Sequence, residues 1–362
     1  MQEFKSINIV NIMADNNHLV IMAGGIGSRL YPMSTLNCPK QFIDVLGCGK
    51  TLLQLTYERF LPVVPKENVW IVTSEDYKDM VAEQLPEMPE NHILTEPCRR
   101  NTAPCIAYAS WRIKSQFPHA NIVVSPSDHV VMDNEEFCRV VASSLKFVSE
   151  NDAIVTLGMK PDRPETGYGY IQADLSFSTA RNKEIFRVDK FREKPNKELA
   201  EKYIKQTNFY WNAGIFIWNV NTIINAFRVY QPEISEIFEG MLSYYNTPKE
   251  AELIKERFPQ CESISVDYAI LENAEEIYVF PAEFGWSDVG TWRSLQKSLP
   301  TDANGNTCVG AQIETVETNN CIIHTTNFKK VVVQGLDGYL IVEQNGELLI
   351  CKISEEEHFH KK

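Results

Sequence analysis

Short apolar runs alternate with amphipathic stretches over most of the chain. Runs at 19–23, 69–73, 92–95, 122–124, 153–157, 185–191 and 277–280 are rich in Val, Ile and Leu and read as strands. Between them, 51–61, 75–85, 105–117 and Asn134–Glu150 carry apolar residues at helical spacing, and 220–258 reads as acidic helices. Strand and helix in alternation predict an α/β fold, a doubly wound, mostly parallel sheet with helices on both faces. After Pro300 the pattern changes. Asp302 to Asn306 reads as a linker, and short β-branched runs follow at 307–315, 320–325, 329–334 and 339–351. Turns at Leu336-Asp337-Gly338 and Asn345-Gly346 separate them. The expected division is an α/β domain over 1–300 and a small β-rich domain with a charged tail over 301–362.

Ligands of such sheets bind beyond the carboxyl ends of strands, so the polar residues that stop each apolar run carry the candidate chemistry. The first run ends at Ala23 and is followed by Gly24, Gly25 and Gly27. Glycine lets backbone N–H groups approach a ligand, and successive N–H groups make an anion-binding concavity. Arg29 adds a planar fork suited to phosphate, and Lys40, between Pro39 and Gln41, reads as a mobile point charge. Together they describe a polyphosphate cradle; an ordinary strand-to-helix turn is the competing reading of the glycines alone. The dinucleotide fingerprint G-x-G-x-x-G, begun at Gly25, fails because Leu30 stands where its last glycine belongs. Gly49-Lys50-Thr51 imitates the end of a P-loop, but Asp44 occupies the place of that motif's first glycine.

Later strand ends add carboxylates. Glu96 could accept from both N1–H and N2–H₂ of guanine, while Asn101 or Thr102 can cap the helix that follows. The run 122–124 leads through Ser127 to Asp128, a candidate first ligand for Mg²⁺, which takes one or two carboxylates plus waters and phosphates. An Asx-turn would also explain Asp128, and the adjacent His129 reads as a structural neighbour. The stretch Pro164 to Ile171 mixes glycines with flat rings and reads as a sugar pocket or a bend with core aromatics. Glu193-Lys194 offers a carboxylate and an ammonium side by side, and Asn212 is the one amide in an apolar stretch. Asp267 can cap a helix or orient a site. Asp288 closes another strand end, 160 residues after Asp128.

Composition narrows the function class. The chain has 362 residues, 44% hydrophobic and 23% charged, with a formal charge of −13. That balance argues against a nucleic-acid binder, which needs a basic face. No apolar run approaches the roughly 20 residues that span a bilayer, and the first 17 residues lack the pattern of a secretion signal and carry no assignable role. Nine cysteines are scattered with no C-x-x-C pair, which argues against a disulfide framework or zinc site and for a reducing, cytoplasmic setting. His358 and His360 on the charged tail read as solvated.

Several of these stretches resemble the sugar-nucleotide pyrophosphorylases, most closely their mannose-1-phosphate guanylyltransferase branch. The stretches are Gly24-Gly25-x-Gly27-x-Arg29-Leu30-x-Pro32, Pro39-Lys40-Gln41-Phe42, Glu96-Pro97 with Asn101-Thr102-Ala103-Pro104, Glu165-x-Gly167-Tyr168-Gly169-Tyr170-Ile171, Phe191-x-Glu193-Lys194-Pro195 and Trp286-x-Asp288-Val289-Gly290-Thr291-Trp292. They keep the family's order over roughly residues 19–351. The resemblance implies the nucleotide-diphospho-sugar transferase type of sheet and a β-helix-like C-terminal piece. It implies a nucleotidyltransferase that takes GTP and mannose 1-phosphate, uses Mg²⁺ and releases diphosphate; it allows a homo-oligomer, a dimer. It places the nucleotide on Ala23, Gly24, Gly25, Gly27, Glu96, Asn101, Thr102 and Ser127. The sugar phosphate falls to Glu165, Gly169, Glu193, Lys194 and Asn212, the metal to Asp128 and Asp288, and catalysis to Arg29, Lys40 and Lys194. The chain is too short for the isomerase domain of longer relatives. Two other readings stay open: a pyrophosphorylase for another nucleotide and hexose phosphate, and a non-catalytic subunit that binds a nucleotide sugar and regulates a partner. Such subunits often lose the charged set that is present here.

Overall fold

A computed structural model describes residues 16–178, 182–344 and 346–359. The N-terminal leader, Asn345 of the expected Asn345-Gly346 turn and His360 lie outside them. Fifteen strands occur among the described residues: β1 (Asn17–Met22), β2 (Val69–Ser74), β3 (Ile93–Glu96), β4 (Asn121–Pro126), β5 (Val130–Val131), β6 (Ile154–Met159), β7 (Tyr170–Ser178), β8 (Phe186–Arg192), β9 (Phe209–Asn219), β10 (Ile277–Ala282), β11 (Trp286–Ser287), β12 (Thr307–Val316), β13 (Ile322–Gln334), β14 (Tyr339–Gln344) and β15 (Glu347–Lys352). The chain divides into two compact units. The first comprises residues up to Gly24 with Arg59–Pro126 and Asp133–Phe284; the second gathers Gly25–Glu58, Ser127–Met132 and Gly285–Lys362. This division differs from the expected boundary at residue 300. Packing rejoins segments that the sequence separates, and the glycine turn falls in the same unit as the C-terminal strands.

The first unit is built on one mixed, parallel-rich sheet of nine strands, in the order β3-β2-β1-β4-β9-β6-β10-β8-β7. The neighbours from β3 to β4 are parallel, as are β6 and β10. β9 enters antiparallel between β4 and β6 and also pairs with β7. Strands β1, β2 and β4 are buried along most of their length, with apolar runs at their centres, because both faces are covered. The helix Thr102–Lys114 is buried from Ala103 to Ile113 and carries Trp111 into a core shared with Trp70, Trp218, Phe227 and Phe238. Asn134–Glu150 is a helix over the full range read from the sequence, capped by the Asp133 carboxylate accepting from Glu136 N.

In the second unit β12, β13 and β14 pair in parallel, and β15 returns antiparallel on β14. Parallel neighbours normally need a long crossover. Here paired residues such as Thr307 and Ile322, Gln312 and Lys330, or Ile322 and Leu340 lie only 15 to 18 residues apart, so the chain winds in stacked coils, as a β-helix does. The runs read as 320–325 and 329–334 are one long strand, and 339–351 is a hairpin with Gly346 at φ 83°. The core of this unit draws Leu30, Met33 and Ile43 from its first segment, Val130 from its second, and Val289, Trp292, Ile322 and Leu340 from its third.

Candidate active site

In the second unit, Gly27, Arg29, Lys40, Asp128, His129, Asp288 and Gly290 line one pocket of about 310 Å³. Gly27 turns the chain at φ 53° into the short 3₁₀ turn Ser28–Leu30, which leaves Arg29 exposed. A Cβ on Gly27 would lie 2.8 Å from Lys40 Cγ and 3.0 Å from Lys40 N, so only glycine lets the loop close on that lysine. Lys40 is not the mobile charge expected from the sequence. Its side chain is 9% exposed, its Nζ donates to the carbonyl oxygens of Asp288 at 2.6 Å and Val289 at 3.3 Å, and it lies 3.1 Å from Asp128 Oδ2. Gln41 Nε2 donates to Gly25 O and ties the glycine turn to the same segment.

Asp128 follows the strand β4 through buried Ser127, whose carbonyl accepts from Thr56 Oγ1. Burial pushes the Asp128 carboxyl up, but Lys40 and His129 together hold it below the usual aspartate range. His129, read from the sequence as a structural neighbour, stands beside this carboxylate. Trp286 Nε1 donates to its Nδ1 at 3.2 Å, which leaves the proton on Nε2, 3.7 Å from Asp128 Oδ1. The β5–β11 pairing, Val130 on Ser287 and Val131 on Trp286, brings the stretches carrying Asp128 and Asp288 side by side. Asp288 Oδ1 accepts from Gly290 N, and Ser287 Oγ accepts from Val289 N. Two carboxylates on one pocket suit a hard cation that keeps waters and phosphates as its other ligands. No cluster of three or more His, Cys, Asp or Glu ligands occurs among the described residues.

A second charged cluster lies in the first unit. Glu193 and Lys194 follow β8, with Glu193 Oε1 2.8 Å from Lys194 Nζ. Lys194 has φ 43°, a region that non-glycine residues rarely take, and its side chain is 58% exposed. Burial lowers its proton affinity, but Glu193 and Asp267 raise it above the ordinary lysine range. A Cβ on Gly169 would lie 2.5 Å from Glu193 Oε2, and Gly169 O accepts from Asn212 N. Gly169, Glu193, Lys194 and Asn212 are therefore brought together. Glu165 is engaged by its own loop instead, accepting from Thr166 N, Gly167 N and Arg163 Nε.

The Asn212 amide is fixed from both ends. A register shift in β9 places it where its Oδ1 accepts from Thr156 Oγ1 and Gly214 N, and its Nδ2 donates to Asp267 Oδ1 at 2.9 Å. Asp267 begins a π-helical turn, Asp267–Leu271, a distortion common at functional sites. Burial and the nearby Glu193 push its carboxyl up to about 7. Glu272 Oε1 accepts from Glu193 N. Of the two readings open for Asp267 from the sequence, the contact with Asn212 favours orienting a site. Thr156 carries no motif that would single it out, whereas Glu272 closes the stretch Ser265-x-Asp267-x-x-x-x-Glu272, which resembles a segment of the family.

Glu96 ends β3 in the same unit, buried, with no hydrogen-bond partner for Oε1 among the described residues. Its Oε2 lies 3.1 Å from where a Gly24 Cβ would stand, so the missing side chain makes its room. Burial pushes the carboxyl up to about 8, against a lowering contact with Cys105. Of the two capping candidates Asn101 caps the helix, its Oδ1 accepting from Thr102 N, while Thr102 Oγ1 instead accepts from the distant Val266 N. Ala23 is bonded on both sides, N to Val72 O and O from Thr73 Oγ1.

Residues 18–305 match the family model described as nucleotidyl transferase. The chain belongs to the nucleotidyl transferase family. It is similar to mannose-1-phosphate guanylyltransferase 2 of Escherichia coli O157:H7, 36% identical over 350 residues that cover 94% of this chain and 72% of that one. The mannose-1-phosphate guanylyltransferase of Escherichia coli K12 is 35% identical over 93% of this chain and 72% of its own length. Among solved structures, that of a mannose-1-phosphate geranyltransferase from Thermus thermophilus superposes with a TM-score of 0.83 at 29% identity, covering 96% of this chain and 98% of that one. The chain is thus a nucleotidyltransferase of α/β architecture, in a family whose members generally use a divalent metal. No helix among the described residues is long and apolar enough to cross a membrane.

Proposed function

We propose that this nucleotidyltransferase joins GTP to α-D-mannose 1-phosphate, yielding GDP-mannose and diphosphate. The observation that carries the reading is the gathering of Arg29, Lys40, Asp128 and Asp288 on one pocket; relatives at 35–36% identity that bear that activity's name support the choice of substrates.

The reaction is an in-line displacement. A phosphate oxygen of the sugar 1-phosphate bonds to the α-phosphorus of GTP, and the bond from that phosphorus to the β-phosphate bridging oxygen breaks. The attacking oxygen is already anionic, so no general base is needed, and catalysis is positioning plus charge neutralisation. Arg29 and the turn Gly24, Gly25 and Gly27, after Ala23, hold the leaving β- and γ-phosphates. Lys40 brings charge to the α-phosphate. Asp128 and Asp288, with Ser127 and His129 shaping their loop, would hold Mg²⁺, which when bound offsets charge on the phosphates. Glu96 as a carboxylate accepts from the guanine edge, beside Asn101 and Thr102. Lys194 meets the sugar phosphate, and Glu193, Asn212 and Gly169 shape the hydroxyl contacts, with Glu165 at the pocket's rim. Residues up to 300 carry this chemistry, and 301–362 serve packing and assembly into a homo-oligomer. The setting is cytoplasmic, with no nucleic-acid or membrane partner.

Diphosphate release with Mg²⁺ tests the reading, with GTP, ATP, UTP, CTP and dTTP crossed against mannose 1-phosphate and glucose 1-phosphate. Release chiefly with GTP and mannose 1-phosphate is expected. Release with another pair would keep the mechanism and discard these substrates; none with any pair would favour the regulatory subunit.

A further inference from the structure

Lys40 reaches its partners across a long stretch of chain. Its three N–H donors meet three acceptors, Asp128 Oδ2 and the carbonyl oxygens of Asp288 and Val289. These oxygens belong to the two stretches that carry the candidate metal ligands. A carboxylate with two carbonyls is also a donor set that a hard cation accepts. The loop it grips is strained: Val289 is buried at φ 47°, which a β-branched residue avoids. Val289 N and Gly290 N are bonded within the loop, whereas the Asp288 and Val289 carbonyls take the ammonium. Gly27 packs on the lysine's stem and leaves it little room. A lysine whose sole task were to meet a phosphate would not need this socket.

We infer that Lys40 is a built-in occupant of the divalent-cation site, its ammonium balancing Asp128 and the Asp288–Val289 carbonyls until a triphosphate draws it away and the cation can load. The inference rests on the reading that Asp128 and Asp288 take a divalent cation. It makes metal binding and nucleotide binding one event. Without nucleotide, the ammonium and a dication compete for Asp128 and repel one another. With nucleotide, phosphate oxygens give the ammonium new partners and the dication further ligands.

The test uses Mn²⁺ as probe and the full chain without sugar phosphate. Bound Mn²⁺ is measured by electron paramagnetic resonance for the natural protein, Lys40→Met and Lys40→Gln. Without nucleotide both variants should bind Mn²⁺ about tenfold or more tightly than the natural protein. With a non-hydrolysable GTP analogue that advantage should vanish. Lys40→Gln keeps N–H donors for the two carbonyls, so it reports the charge alone should Lys40→Met fail to fold. Equal or weaker Mn²⁺ binding by folded variants would overturn the inference. No Mn²⁺ binding by any of the proteins, even with the analogue, would overturn the cation reading and the inference with it. Tighter binding by the variants, from a natural protein that releases no diphosphate with any substrate pair, would uphold the inference and remove the guanylyltransferase reading.

Discussion

Each of the two charged clusters pairs a lysine with a carboxylate, packs a glycine against one member of that pair, and sits on a loop with a non-glycine residue at positive φ. They differ in how the lysine is held. Lys40 is buried and bonded to three oxygens, two of them backbone. Lys194 is more than half exposed and pairs with one carboxylate, that of Glu193. Backbone carbonyls hold a side chain at a fixed place, whereas an ammonium more than half exposed, as that of Lys194 is, exchanges readily with solvent even beside a buried carboxylate. Without ligand the first lysine is part of its pocket's architecture and leaves only when a ligand offers its ammonium better partners; the second can follow a ligand as it arrives.

The largest expected effect comes from removing the carboxylate that Lys40 grips. Asp128→Ala should lower turnover by about 10³-fold or more, since it removes both a candidate metal ligand and the partner of a buried ammonium. Steady-state diphosphate release measures the loss, and near-normal turnover would dissolve the distinction between the clusters.

The glycines come next. Gly27→Ala pushes a Cβ against Lys40's backbone as well as its stem, at a φ that alanine resists, so it should cost about 10²-fold in turnover and lower the melting temperature. Gly169→Ala meets chiefly the far end of the Glu193 side chain, with Asn212 Cβ 3.3 Å away, and should raise the KM for the sugar phosphate by about tenfold at near-normal kcat. Equal effects of the two would mean that both sites are equally rigid.

Lys194→Met should raise the KM for mannose 1-phosphate by about 10–100-fold through the loss of one charge-assisted contact. Its melting temperature should fall less than that of Lys40→Met, because the Lys194 ammonium is more than half exposed even though its partner Glu193 is buried. An equal fall in melting temperature would show Lys194 to be as structural as Lys40.

A separate effect, read as stability rather than rate, concerns pH. Glu96 has a carboxyl raised to about 8 by burial, from 4.5. The folded protein therefore holds a proton that the unfolded chain gives up between these values. Stability should fall as pH rises from 4.5 to 8 and level off above, by about a few kcal/mol in all. Glu96→Gln should flatten that slope in denaturant titrations. The same carboxyl must ionise to accept from guanine, so GTP affinity should rise over the upper part of that range in the natural protein and not in the variant.

The strands and most helices were legible because each writes its period locally: β1, β2 and β4 as unbroken apolar runs, Asn134–Glu150 as a capped amphipathic helix. The candidate site residues were visible for a similar reason, each sitting in a short motif at the end of a strand. What joins them was not. Lys40 meets Asp288 across 248 residues, Asn212 meets Asp267 across 55, and His129 meets Trp286 across 157. A contact between distant segments leaves no period in either. For the same reason the antiparallel entry of β9 and the assembly of the second unit from three pieces lay beyond a reading of the chain in order.

That assembly has a consequence for how the protein comes into being. On the ribosome, Gly25–Glu58 emerges before most of the chain it packs with, since the residues that cover Leu30, Met33 and Ile43 include Val289, Trp292, Ile322 and Leu340, which are made long after. At about 5–20 residues per second, the early segment waits on the order of ten seconds or longer with an apolar face uncovered. A nascent chain can complete its large sheet while the pocket that holds Asp128 and Asp288 does not yet exist. Enzymatic competence should therefore appear only once the stretch through Leu340 has been made, and chains released before it should be targets for chaperones and proteases rather than partial enzymes.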